Sequence, residues 1–96
     1  PMLTSLRPGI ITIRDGGGRS MYAVSGGFVE VMRHQATVLA ESIERAEDID
    51  LDRARQAEVR ARERLESAGS SVDMVRAQSA LARAQNRIRA AESTTH

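Results

Sequence analysis

Cysteine, lysine and tryptophan are absent from this sequence of 96 residues, and tyrosine and phenylalanine occur once each. Without cysteine there is neither a disulfide framework nor a thiolate metal site. An aromatic content of 2% is low for a chain that must build its own globular core. No apolar run approaches the length needed to span a bilayer, and no basic-then-apolar signal peptide opens the chain. With no lysine, all 14 basic residues are arginine, so the pI of 9.1 reflects side chains that barely titrate, not a large excess of charge. The net charge is +1, which excludes the whole chain as an electrostatic nucleic-acid binder. The size allows one ordinary domain or two small pieces sharing little core. The first residue is Pro, so the chain is expected to be a processed product or a fragment.

Recognisable catalytic chemistry is missing as well. There is no GxxxxGK[ST] loop; Gly16-Gly17-Gly18 opens no helix and reads as a hairpin loop. His34 falls in a turn and His96 at the terminus, without metal-ligand spacing. Ser25 lacks the G-x-S-x-G frame of a nucleophile elbow. The acids between Glu41 and Asp52 are a candidate for a divalent ion, but linker and helix-start charge is the simpler account.

Two kinds of periodicity are present. Residues 1–41 read in periods of two, with runs at Met2–Leu6, Ile10–Arg14, Ser20–Val24, Phe28–Met32 and Ala36–Ala40, punctuated by Arg7-Pro8-Gly9, Asp15–Gly18, Ser25-Gly26-Gly27 and Arg33-His34-Gln35. They predict an antiparallel meander of about five strands, part of a sandwich or barrel. Residues 42–50 read as an acidic linker. Residues 51–96 read as two helices, with Asp50 as the first N-cap, Gly69 in a left-handed C′ position, and Ser70 or Ser71 capping the second helix with Asp73 in a capping box. The tail from Ser93 is expected to fray. The predicted fold class is therefore α+β: a partial antiparallel β-sandwich followed by an antiparallel two-helix hairpin.

The helical seams are mostly alanine: Leu51, Ala54, Ala61, Leu65 and Ala68 on the first helix, interrupted by Glu58, and Met74, Ala77, Leu81, Ala84, Ile88 and Ala91 on the second. Alanine permits close approach but contributes well under the ~1.5–3 kcal/mol of a buried Leu or Ile. A hairpin with so thin a core is expected to be marginal, needing a partner, a ligand or the β-domain to hold it shut.

Four arginines precede seam positions. Arg53 and Arg60 share one face of the first helix, and Arg83 and Arg87 one face of the second. If the chain turns near residue 70, Arg53 lies level with Arg87, and Arg60 close to Arg83. Such a cluster suits an anion, since guanidinium forks match phosphate oxygens. The plainer alternative pairs these arginines with Glu58, Glu63 and Glu66 on a solvated face.

The sequence resembles the epsilon subunit of F-type ATP synthases. The likeness is carried by Pro1 to Pro8-Gly9, Tyr22-Ala23-Val24-Ser25-Gly26-Gly27-Phe28-Val29-Glu30-Val31, Thr37-Val38-Leu39-Ala40, Glu44 to Ala54, and Leu81-Ala82-Arg83-Ala84-Gln85-Asn86-Arg87-Ile88. The family has an N-terminal β-sandwich that packs on the gamma shaft and the c-subunit ring. Its C-terminal hairpin either folds beside the sandwich or extends toward the alpha/beta catalytic hexamer and inhibits ATP hydrolysis. The resemblance thus implies a non-catalytic coupling and regulatory subunit, with no required cofactor and ATP as a regulatory ligand. Its nucleotide motif, [IL]-D-x-x-R-A, reads here Ile49-Asp50-Leu51-Asp52-Arg53-Ala54; Glu44, Arg60, Arg83 and Arg87 match the remaining nucleotide contacts. Relative to the family sandwich the first strands are missing, so the chain is expected either to be a fragment or to receive those strands from another chain.

The absence of lysine suggests a GC-rich genome. With the resemblance, it implies a peripheral place on the cytoplasmic face of a bacterial plasma membrane, an organellar inner face being the alternative. Membrane association would come only through the complex. The competing reading is a generic helical-hairpin interaction module without a nucleotide response. Nucleic-acid binding by the hairpin is disfavoured because residues 41–96 hold about as many acids as arginines and no aromatics.

Overall fold

In the computed structural model residues 2–5 and 7–94 are described, with the backbone alone at 2–5, 15 and 28. Among the described residues, six strands form two antiparallel sheets. Strands β2 (Gly9–Asp15) and β3 (Gly18–Ser25) are joined by the two-residue turn Gly16-Gly17, as their β-branched and glycine pattern predicts. Strand β6 (Ser42–Arg45) pairs with the other side of β3, giving the order β2-β3-β6. The second sheet has the order β1-β4-β5, from Met2–Ser5, Phe28–Met32 and Gln35–Leu39.

Two expectations are corrected here. The strands do not form a meander: β1 pairs with β4, and β3 has no pairing with β4. The chain leaves one sheet for the other at Gly26 and Gly27, both with positive φ (69° and 79°), a conformation open to glycine and costly for other residues. Period-two patterning marks a strand but does not name its partner. The acidic linker of residues 42–50 is likewise not a linker. Ser42–Arg45 is a strand whose Glu44 faces Ala23 across the ladder, and Ala46–Asp48 forms a 3-10 turn with Ala46 buried. Its charged side chains hid a backbone that hydrogen-bonds to β3.

Helices α1 (Leu51–Glu66) and α2 (Ser71–Glu92) form the expected hairpin. Asp50 caps α1 by accepting from the Arg53 backbone N–H at 3.1 Å, and Ser70 caps α2 by accepting from Asp73 N–H at 3.1 Å. Gly69 is not left-handed. The end of α1 is closed instead by Ser67, whose backbone N–H and hydroxyl both donate to the Glu63 carbonyl. The tail is also better tied than expected: the Ser93 hydroxyl donates to the Ala90 carbonyl and the Thr94 N–H to the Ala91 carbonyl, while Thr95 and His96 lie outside the described residues.

The core sits where the end of α2 meets the β2-β3-β6 sheet and the start of α1. Ala23, Ala46, Ile49, Ala54, Ala90 and Ala91 are buried together there, with Ile10, Met21, Leu51 and Ile88 packed on them. The alanines let α2 lie close to β3. Farther along the hairpin, Ala61, Ala77 and Ala84 line the helix contact, while Met74, expected in the seam, is exposed. On the β1-β4-β5 sheet, Val31, Met32, Val38 and Leu39 are exposed.

Candidate functional site

A cavity of about 590 Å³ opens between the hairpin and the β2-β3-β6 sheet. Its floor is small side chains, among them Ala61 and Ala84, 2% and 3% exposed. From α1, Arg60 and Arg64 reach it one turn apart; from α2, Arg83 and Arg87 do so at the same spacing. Strand β6 contributes Glu44. Four guanidiniums therefore meet one carboxylate, and the local field favours an anion.

Glu44 neutralises one of the four. The Arg87 Nε donates to Glu44 Oε1 at 2.8 Å and an Arg87 terminal nitrogen to Oε2 at 3.0 Å, both side chains being about one-third exposed. This two-pronged geometry is the strongest form of the guanidinium–carboxylate pair. Glu58, which the plainer alternative offered to the cluster, pairs with Arg62 instead. Among the described residues, Arg60, Arg64 and Arg83 have no ion-pair partner.

Of the eight residues singled out in the sequence, the structure brings Glu44, Arg60, Arg83 and Arg87 to one cavity. The other four, from the hexapeptide at the helix start, lie outside its lining. Ile49 and Ala54 are in the core, 8% and 0% exposed; Asp50 is the N-cap of α1; Arg53 is exposed beside it. Within the hexapeptide, Asp50 caps the start of α1, and Arg53 is not among the residues that line the cavity.

Among the lining residues that sequence reasoning did not single out are Arg64 and Asn86. Arg64 follows Arg60 by one helical turn and was legible by that spacing. Asn86 is 2% exposed; its Nδ2 donates to the Gly9 carbonyl at 2.8 Å and, more weakly, to the Val24 carbonyl at 3.5 Å, and its Oδ1 accepts from Arg89 at 3.1 Å. A mid-helix Asn among Ala and Arg is a poor helix former, which is the signal that could have flagged it.

Two antiparallel sheets bearing a docked two-helix hairpin, with an arginine-rich cavity at the junction, define a class of small β-plus-hairpin chains. Residues 1–46 match the family described as ATP synthase, Delta/Epsilon chain, beta-sandwich domain, and residues 47–92 match its long alpha-helix domain. The chain belongs to the delta/epsilon chain family of ATP synthase.

It is 48% identical over 72 residues to the ATP synthase epsilon chain of Desulforamulus reducens, covering 75% of this chain and 54% of that one. Against the epsilon chain of Desulfosudis oleivorans it is 54% identical over 68 residues, covering 70% and 51%. The chain thus spans about half the length of these curated relatives. A chain in the cryo-EM structure of Euglena gracilis mitochondrial ATP synthase, OSCP/F1/c-ring, shares the fold with a TM-score of 0.71 at 23% identity, over 99% of this chain and 57% of that one.

Proposed function

We propose that this chain acts as a non-catalytic coupling and regulatory subunit of an F-type ATP synthase, with its hairpin as a nucleotide-biased switch. The sandwich portion would bind the gamma shaft and the c-subunit ring. The hairpin would be harmless when docked and would obstruct hydrolysis when extended toward the alpha/beta hexamer. No described helix is long and apolar enough to cross a membrane, and membrane association would come through the complex, at the cytoplasmic face in a bacterium.

The observation that carries the ligand part is the meeting of Glu44, Arg60, Arg83 and Arg87 around one cavity. Its volume of about 590 Å³ lies within the ~300–1,000 Å³ usual for small-molecule sites. Triphosphate oxygens would be held by the arginines that no carboxylate neutralises. A nucleotide can enter only while both helices stand over β3 and β6, so it stabilises the docked form. At a concentration ~100 times its dissociation constant, a ligand specific to that form adds about 2.7 kcal/mol. That moves a marginal alanine-lined hairpin and would not move a deep well.

The test is ATP titration of the chain, followed by hairpin docking, with Arg83→Ala and Arg87→Ala controls. Wild type should respond and the variants should not; equal responses would remove the sensor. A second reading, a hairpin that only binds protein partners, draws on the exposed Val72, Met74 and Val75 at the start of α2. It requires partner binding with no nucleotide response.

A further inference from the structure

Asn86 is the most buried polar residue at the junction, and all its polar atoms are used. Its two acceptors are not arbitrary. Gly9 and Val24 are cross-strand partners in the β2–β3 ladder, so one side-chain amide on α2 bonds both members of one pair. The two hydrogens of Nδ2 serve two strands. The opposite end of the amide is held by Arg89, which donates to Oδ1 at 3.1 Å and so keeps the nitrogen toward the sheet. Ala90 and Ala91, buried one turn on, permit the approach that brings a short amide within reach of strand carbonyls.

We infer that Asn86 is a positioning residue that fixes the register of α2 on β2-β3 and thereby holds Arg83 and Arg87 over Glu44. A helix carried on alanines has few shape features to stop it sliding or rotating on a sheet, since alanine faces interdigitate weakly. The directional bonds of Asn86 supply that constraint. One residue along, Arg87 then meets Glu44 with both prongs, and Arg83 sits one turn before it. If α2 lifts from the sheet, Asn86 exchanges its two strand carbonyls for water while Arg89 stays with it in the same helix, so the constraint belongs to the docked form and leaves the helix itself intact. This inference concerns the register of the helix, with or without any ligand in the cavity.

The absence of cysteine makes the test direct. Nitroxide labels are placed on the full chain at two exposed positions, Thr12→Cys on β2 and Gln78→Cys on α2, and their separation is measured by pulsed electron paramagnetic resonance. In parallel, the Arg87 Nε–H signal is followed by nitrogen-edited NMR and assigned by its loss in Arg87→Lys. The wild-type chain should give one narrow distance and a distinct Arg87 signal. Asn86→Leu keeps the volume and removes the donor. It should raise the population outside the narrow distance roughly tenfold or more, and remove the Arg87 signal although Arg87 and Glu44 are unchanged. Asn86→Asp, which turns a carboxylate toward two carbonyls, should do so at least as strongly.

Helix content by circular dichroism should stay as in wild type for both. If either variant loses it, Arg89→Ala decides, because that exposed residue bonds the amide at its oxygen, the end away from the strand carbonyls; it should broaden the distance and weaken the Arg87 signal. A narrow distance and an intact Arg87 signal in Asn86→Leu, or in Arg89→Ala where that variant decides, would overturn the inference. No nucleotide is present, so this outcome is separate from that of the ATP titration.

Discussion

Glu44 on β6 and Arg87 on α2 join the sheet to the hairpin across 43 residues of sequence, through two bonds of 2.8 and 3.0 Å. The same pair stands in the wall of the arginine-rich cavity. Docking of the hairpin and completion of the cavity are therefore one event. An anion arriving there finds Arg87 already engaged by a carboxylate, and Arg60, Arg64 and Arg83 supply the charge that is not.

Glu44→Gln should leave the shape of this junction intact and remove its ionic part. With both side chains about one-third exposed, solvent screens the pair, and a loss of about 1 kcal/mol of docking stability is expected. The docked fraction read from the Thr12–Gln78 label pair at low salt measures it. The difference between wild type and variant should shrink near 1 M salt, where the screening length is about 3 Å.

Arg60→Gln and Arg83→Gln should separate ligand response from ligand-free stability. Each removes a cation that has no carboxylate partner among the described residues. Without nucleotide, relief of repulsion should leave the docked hairpin unchanged or firmer by a few tenths of a kcal/mol. With ATP, the response should fall in both. Inorganic triphosphate and ATP titrations, read against denaturant unfolding of the same variants, distinguish these effects.

The capping residues have separable roles. Asp50→Ala removes the acceptor of the Arg53 N–H, and Ser70→Ala the acceptor of the Asp73 N–H. Each should cost about 1 kcal/mol. Hydrogen exchange should place the Asp50→Ala loss in the first turn of α1, next to the buried Ile49 and Ala54, and the Ser70→Ala loss at the tip of the hairpin. The first should weaken docking; the second should not.

Much of this was legible in the sequence, for reasons tied to particular residues. The caps at Asp50 and Ser70 were readable because capping is local chemistry. The convergence of Arg60 with Arg83 followed from helical spacing and the position of the turn. Strand β6 was not readable: Ser42–Arg45 is short and polar, and only its pairing with β3 makes it a strand. Sheet order was not readable either, since nothing local says that β4 passes β3 to pair with β1. Asn86 was passed over because its partners, Gly9 and Val24, are 77 and 62 residues away. Tertiary contacts of that range leave no periodic trace in a single sequence.

Gly27 and Gly26 offer the sharpest test of the two-sheet architecture. Both have positive φ, but their surroundings differ. A Cβ on Gly27 would lie against the Leu39 backbone carbonyl, which is fixed by the β4–β5 ladder. A Cβ on Gly26 would meet the Glu41 carboxylate, which can rotate away, and the Glu41 Cβ at 3.0 Å, which must give by a few tenths of an ångström. Gly26→Ala should thus cost roughly the strain of a left-handed alanine, on the order of 1 kcal/mol. Gly27→Ala adds a backbone clash and should cost roughly 3 kcal/mol or more, breaking the passage from β3 to β4. Val24, the weaker acceptor of Asn86, is two residues before Gly26, but Gly9, Glu44 and Arg87 are carried on β2, β6 and α2, so amide exchange in Gly27→Ala should rise across β1-β4-β5 while the Arg87 signal persists. Loss of that signal together with the sheet would mean that the two sheets and the hairpin form a single cooperative unit.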